Sequence, residues 1–191
     1  MAKNSMNNNQ YMSVRFFPWW HPLDCYQIMG LIGMMNSVIK IKPKISTLVE
    51  IGSHLGESTT IFLAYEEIEK MYCVDPWNQD PVYEKTFDGR LQPFIESKKC
   101  IKLKEFSQQA SQKFSNNSID MLYVDGNHDY EYVKSDIDTW YPKIINGGIL
   151  AGHDYSSAHP GTKLAIDEFM SKQKLNFHTF ADSSWYTIKQ S

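Results

Sequence analysis

Five short apolar runs, each followed by a stretch of helical periodicity, constrain this chain more than any other feature. The runs are STLVEIG, MYCVD, CIKLKE, SIDMLYVD and GILAGHD. Such runs read as strands buried on both faces. After the first, ESTTIFLAYEEIEK places Ile61, Ala64, Tyr65 and Ile68 on one side of a helix. Asp80-Pro81 opens a second helix with proline in its first turn. SQQASQKF begins at a capping Ser107. DYEYVKSDIDTWYPKI turns Val133, Ile137, Trp140, Tyr141 and Ile144 inward and is expected to stop at Asn146-Gly147-Gly148. Alternation of this kind predicts a parallel sheet with helices on both faces. The end of the chain departs from it. GTKLAIDEFMSK is helical, but LNFHTFAD and SWYTIKQ are two strands joined too closely for a crossover, so they pair antiparallel. The expected fold is α/β and doubly wound, a mostly parallel sheet of about seven strands ending in an antiparallel hairpin.

The chain has 191 residues and a net charge of -3. No internal linker divides it, so residues 11–191 are expected to form a single domain behind a polar, disordered tail at 1–10. Asp24 to Lys42 has helical spacing through Ile28, Leu31, Ile32, Met35 and Ile39, and Pro43 stops it. With the aromatic RFFPWWHP before it, this makes residues 11–43 a helical cover. The charge gives no reason to expect nucleic acid or an anionic membrane as partner, and the basic residues Lys98, Lys99, Lys102 and Lys104 read as a solvated face. No apolar stretch spans a bilayer and no signal peptide is evident, so a cytoplasmic location is expected. Cys25, Cys73 and Cys100, an odd count without C-x-x-C, read as buried thiols in a reducing compartment.

In an open parallel sheet, ligands bind beyond the carboxyl ends of the strands. Those ends carry Glu50, Asp75, Asp125 and Asp154, with His128 and His153 beside the last two. Asp75, at the end of the second strand, suits the two hydroxyls of a ribose; a turn aspartate before Pro76 is the plainer alternative. The loop after the first strand is GSHLG rather than G-x-G-x-x-G. A pyrophosphate over the next helix would meet Glu50 and be repelled. S-adenosylmethionine has no phosphate; its sulfonium and ammonium groups tolerate a carboxylate, and Gly52 and Gly56 permit close backbone approach.

VEIGSHLGESTT, YCVDPW, SIDMLYVDGNHDYEYVKSDIDTWYPKIINGGILAGHDY and HPGTKLAIDEF together resemble the small class I S-adenosylmethionine-dependent methyltransferases, with their Rossmann-like fold. The nearest groups are the macrocin-type sugar O-methyltransferases and the cephalosporin-hydroxylase-like proteins. The resemblance runs from about Ser46 to Phe169. It implies that Glu50, Gly52 and Ser53 follow the methionine part of the cofactor, with Ser58 capping the next helix. It puts Asp75 on the ribose, Trp77, Phe106 and Ser107 around the adenine, and Asp125, His128, His153 and Asp154 on the acceptor side.

An alcohol acceptor needs help to lose its proton, either from a general base such as His128 or from a divalent cation. The resemblance implies a magnesium or manganese site at the ends of the fourth and fifth strands, here Asp125, His153 and Asp154. His153 and Asn127 stand where that family often has carboxylates, which leaves metal use open. Tyr130 and Tyr155 are expected to shape the acceptor pocket, with a packing role the alternative for either. Asp136, Asp138, Asp167 and Glu168 read as surface charges, and His159 and His178 carry no functional expectation. The leading expectation is methyl transfer, O-methylation favoured, to a small hydroxylated acceptor. A nicotinamide-dependent dehydrogenase and a non-catalytic module of this fold are the alternatives. A small-molecule acceptor is the expected partner, and the N-terminal helix leaves a homodimer open.

Overall fold

The computed structural model describes residues 25–190, so the expected tail at 1–10 and the aromatic segment at 15–22 lie outside the described residues. Helix α1 (Cys25–Ile41) precedes β1 (Leu48–Ile51), α2 (Glu57–Leu63), β2 (Met71–Val74), α3 (Pro81–Glu96) and β3 (Cys100–Leu103). Then come α4 (Ser107–Ser111), β4 (Ile119–Val124), α5 (Tyr130–Trp140), β5 (Ile144–Gly152), α6 (Pro160–Gln173), β6 (Phe177–Thr179) and β7 (Trp185–Ile188). The sheet has seven strands in the order β3-β2-β1-β4-β5-β7-β6. β1 pairs in parallel with both β2 and β4, so the chain reverses direction across the sheet there. That divergence opens a crevice above the carboxyl ends of β1 and β4. β7 pairs antiparallel with both β5 and β6, forming the expected hairpin and making β7 the strand that runs against the others.

The alternation of side chains divides the interior into two cores. On one face Leu48, Met71, Cys73, Met121 and Tyr123 pack under Leu31, Met34, Met35 and Val38 of α1, with α2 and α3 alongside. On the other, Val49, Ile51, Leu122, Val124 and Leu150 pack under Val133, Ile137 and Trp140 of α5 and Ala165, Ile166 and Phe169 of α6. Thus α1, with Leu31, Met34, Met35 and Val38 at most 2% exposed, is part of the core it covers.

Local chemistry explains most boundaries and corrects three expectations. Asp80 caps α3 by accepting a hydrogen bond from the Val82 N–H, with Pro81 in the first turn. α2 ends at Leu63 instead of continuing to Lys70. Ile68 is drawn into a parallel bridge with Ile45, and Lys99 Nζ donates to the Leu63 and Tyr65 carbonyls at 3.1 and 3.0 Å. Ser107 is the first residue of α4 rather than its cap; Phe106 holds the cap position, and the Ser107 hydroxyl accepts from Trp140 Nε1 at 2.8 Å. Asn146-Gly147-Gly148 lies inside β5, where the register against β4 slips between the partners of Ile119 and Met121. Cys73 and Cys100 are buried free thiols. Among the described residues no helix is long and apolar enough to cross a membrane.

Candidate active site

A cavity of about 660 Å³ occupies the crevice above β1 and β4. The loop after β1 forms its floor with Gly52, Ser53 and His54, and α2 adds Glu57 and Ser58. Asp75 and Trp77 close it after β2, and Phe106 and Ser107 after β3. Asp125 and His128 after β4, and His153 and Asp154 after β5, complete the far wall. Gln27 and Leu31 bring α1 to the rim. Eleven of the thirteen residues expected from sequence therefore border one space; Glu50 and Gly56 do not.

Glu50 sits one layer behind. β1 runs on to Ile51 before the chain leaves the sheet, so Glu50 shares the face of Leu48 and points into the core. It is fully buried. Ser58 Oγ donates to its Oε1 at 2.6 Å, and Thr59 Oγ1 donates to its Oε2. Burial pushes its pKa up to about 7, against those two hydroxyls, and the nearby charge of Asp125 adds to the rise. Ser53 Oγ lies near enough to help hold it ionised, yet makes no well-formed hydrogen bond. Glu50 organises the wall residue Ser58 rather than standing in the wall.

The two loop glycines are required by neighbouring chain. Gly52 has φ +88, and a Cβ there would stand 2.1 Å from the Asp125 carbonyl oxygen, so the backbones leaving the parallel neighbours β1 and β4 run in near contact. Gly56, the αL residue before α2, would meet Leu91 of α3. The carboxylate that does face the cavity from this loop is Glu57. Its Oε1 is buried without a hydrogen bond, with Arg90 Nη1 at 3.8 Å. Burial raises its pKa, and the Arg90 charge opposes that rise.

Asp75 is the turn aspartate that the sequence allowed, and it also borders the cavity. One oxygen accepts from Trp77 N at 2.7 Å and the other from His54 N at 2.9 Å, which locks the turn while the carboxylate borders the cavity. Trp77 donates from Nε1 to the His54 carbonyl at 2.7 Å and packs on Phe87, so it is a fixed, 5% exposed wall. Phe106, 54% exposed, is the freer aromatic surface.

The far wall gathers charge. His128 Nε2 meets Asp154 Oδ2 at 2.8 Å, and His153 Nδ1 meets Asp154 Oδ1 at 3.0 Å. On its other side His153 Nε2 lies 3.7 Å from the buried Asp182. Asp182 is held by Ser184 N at 3.1 Å and by Ser184 Oγ at 2.6 Å. Burial alone would lower the pKa of His153, but the bonds to Asp154 and Asp182 and the charge of Asp125 lift it to about 10. The Asp154 bond likewise raises His128. Asp154 is held well below the usual carboxylate range by both imidazoles, in spite of burial. The surrounding protein pushes Asp125 up to about 6, against the pull of His153 and His128. Ligand atoms of Asp125, His153 and Asp154 lie within 4.8 Å of one another, as do those of His128, Asp154 and His159. Two oxygens and one nitrogen form a donor set that a divalent cation accepts once it displaces the proton that His153 holds between Asp154 and Asp182, and the imidazole makes the set less selective for magnesium than an all-oxygen one.

Two residues enter the site against expectation. His159, just before α6, brings Nε2 to 3.4 Å from Asp154 Oδ1 and packs edge-on against the His128 ring at 4.4 Å. Asp136 lies on the cavity wall and is only 5% exposed, so it is no surface charge. Its place in α5, three residues after Val133 and four before Trp140, is the sequence signal that it faces inward. The other three helix acids stay outside: Asp138 pairs with Lys134, Asp167 with Lys163 at 2.6 Å, and Glu168 accepts from Tyr130 at 2.6 Å.

The profile of a family described as "Methyltransferase domain" matches residues 49–155, more than half of the chain. The chain belongs to that family. It is a class I, S-adenosylmethionine-dependent methyltransferase domain, and the matched segment carries every strand end that walls the cavity. Two curated relatives are uncharacterized proteins. One, from Sinorhizobium fredii, is 28% identical over 119 residues, 56% of this chain and 13% of its own length. The other, from Acanthamoeba polyphaga mimivirus, is 26% identical over 113 residues, 57% of this chain and 51% of its own. The matches thus span about half or less of those proteins. Among solved structures, the TDP-rhamnose 3'-O-methyltransferase of calicheamicin biosynthesis shares the fold with a TM-score of 0.67. It is 14% identical, with 98% of this chain and 95% of that one covered.

Proposed function

We propose that this protein moves the methyl group of S-adenosylmethionine to a hydroxyl of a small acceptor. The observation that carries this reading is the cavity's polarity. Asp75 stands at one end, and the pair of His128 and Asp154, 2.8 Å apart, stands with Asp125 at the other. In this reading Asp75 accepts from the ribose hydroxyls. Glu57, whose buried Oε1 has Arg90 at 3.8 Å but accepts no hydrogen bond, faces the ammonium group in the place first expected of Glu50. Asp125 would then be the carboxylate on the sulfonium side of the cofactor.

Methyl transfer is an in-line displacement: the acceptor oxygen bonds to the methyl carbon as the carbon–sulfur bond breaks, leaving a neutral thioether. The hydroxyl proton must go to a base. With Nε2 of His128 turned to Asp154, Nδ1 is the nitrogen that takes it, and Asp154 stabilises the imidazolium formed. A divalent ion would be held by Asp125, His153 and Asp154, where it would supply Lewis acidity to the acceptor oxygen. The O-methyltransferase named above, similar in fold, agrees with an oxygen acceptor.

Titration calorimetry with S-adenosylmethionine and its demethylated product tests the cofactor half; failure of both to bind removes the proposal. Product formation across a panel of sugars and phenols tests the acceptor half. There His128→Ala is expected to lower kcat by roughly 10²- to 10⁴-fold with cofactor affinity kept. Tight binding with no turnover on any hydroxylated compound would leave a cofactor-binding module instead.

A further inference from the structure

We infer that His128, Asp154 and His159 form a zinc-type metal site, separate from the Asp125 set, whose filling switches methyl transfer off. The binding half stands on geometry alone. The inhibitory half rests on the proposed role of His128 as the base.

His128 Nε2 stands 2.8 Å from Asp154 Oδ2, and His159 Nε2 stands 3.4 Å from Asp154 Oδ1. Ligand atoms of all three lie within 4.8 Å of one another. A four-coordinate zinc ion sits about 2 Å from each donor, which spaces its ligands about 3.3 Å apart. The cluster is thus close to that spacing before any ion enters. The backbone holds both imidazoles in place. Thr162 Oγ1 donates to the His128 carbonyl at 3.2 Å, and a Cβ on Gly161 would stand 2.8 Å from that same oxygen. His159 N donates to the Ser156 carbonyl at 3.2 Å, and the His159 carbonyl accepts from Lys163 N at 3.0 Å. Behind the cluster, His153 Nδ1 meets Asp154 at 3.0 Å and orients the carboxylate, as outer partners of metal ligands do. The side chains of His128 and His159 are 46% and 34% exposed, so an ion has a path in and room to keep a water. Two imidazoles and one carboxylate suit zinc and its transition-metal neighbours better than magnesium.

Filling the site changes the proton on His128. With Nε2–H turned to Asp154, the neutral imidazole keeps its lone pair on Nδ1, where the acceptor proton goes. A metal bonded to Nε2 uses the lone pair there, and the single ring proton moves to Nδ1. No basic nitrogen then remains for the acceptor hydroxyl, while the loops proposed to hold the cofactor are untouched.

The test titrates the metal-stripped full chain with zinc chloride by calorimetry, then adds zinc to turnover assays run with magnesium. The expected result is one zinc ion per chain. His159→Ala should weaken it at least about 10-fold, and Asp125→Asn should not. Thermal melts identify folded variants. Cobalt bound to the wild-type protein should show the strong visible bands of a four-coordinate ion, a readout that needs no variant. Saturating zinc should lower turnover roughly 10²- to 10⁴-fold, with cofactor affinity kept. Zinc affinity lost in Asp125→Asn but unchanged in His159→Ala would put the ion on the other set and overturn the inference. So would the absence of zinc binding, with methyl transfer left standing. Zinc held through His159 without loss of turnover would overturn the inhibitory half and the assignment of His128 as base. A protein that binds zinc through His159 yet methylates no acceptor would sink the proposed function and keep the metal site.

Discussion

Replacing Glu50 with glutamine should make the protein more stable at alkaline pH and leave it nearly unchanged at acidic pH. A carboxyl whose pKa is higher folded than unfolded binds more protons in the native state. The stabilisation it gives is complete below the unfolded value and is lost as pH rises through the folded one. For Glu50 those values are 4.5 and about 7, with burial as the main cause. At about 1.36 kcal/mol per pH unit, the difference costs the wild-type protein about 3 kcal/mol above pH 8. Glutamine keeps the shape and one carbonyl acceptor for Ser58 or Thr59, and the other hydroxyl can turn to accept from the amide. Urea unfolding of both proteins at pH 5 and pH 8.5 measures the effect, and the difference between them isolates Glu50 from Asp125 and Asp136, which titrate in both. The expected result is near equality at pH 5 and a gain of about 3 kcal/mol for the variant at pH 8.5. An equal loss at both pH values would refute the reasoning. It would mean that Glu50 stays ionised throughout and that its charge is what the two hydroxyls stabilise.

Gly52→Ala should cost more than about 3 kcal/mol, since its Cβ would stand 2.1 Å from a backbone carbonyl at a positive φ; a thermal melt within a degree or two of wild type would contradict the close approach described beyond β1 and β4. Manganese binding, followed by electron paramagnetic resonance, should be abolished in Asp154→Ala; binding that survives would place the ion away from the far wall.

Much of the site was legible because it sits on a repeating landmark. Asp75, Asp125 and Asp154 each come just after an apolar run, and the end of such a run in a parallel sheet is where ligands meet the chain. Glu50 shows the limit of that rule. It also closes a run by eye, but one more sheet residue, Ile51, follows it, and strand parity turns its side chain under α2. Asp136 was misread for the opposite reason: a helical carboxylate is usually solvated, yet its spacing to Val133 and Trp140 places it on the buried face. Nothing in the sequence marks His159, because its partner Asp154 turns back through a positive φ that composition does not signal. The role of α1 was only half readable, since apolar spacing locates its inner face but not the loop that its glycines admit.

Those glycines give a paired prediction of opposite sign. Gly30 and Gly33 lie one turn apart on α1, and helix propensity alone favours alanine at both by roughly 0.5–1 kcal/mol. At Gly33 the nearest atoms to an added Cβ belong to Phe180 at 3.7 Å, an ordinary contact, so Gly33→Ala should raise the melting temperature slightly. At Gly30 the added Cβ would stand 1.9 Å from Asp182 Cγ. That carboxylate cannot swing away freely, because Ser184 bonds both of its oxygens and its side chain is fully buried. Gly30→Ala should therefore destabilise by about 1–3 kcal/mol, the usual cost of overpacking. The strain falls on the residue beside His153, so turnover should suffer more than cofactor affinity, which depends on loops at the other end of the cavity. Melts that move in the same direction for both variants would show that α1 does not clamp the loop between β6 and β7. Loss of cofactor affinity as large as the loss of turnover would show that the clamp does not act through His153.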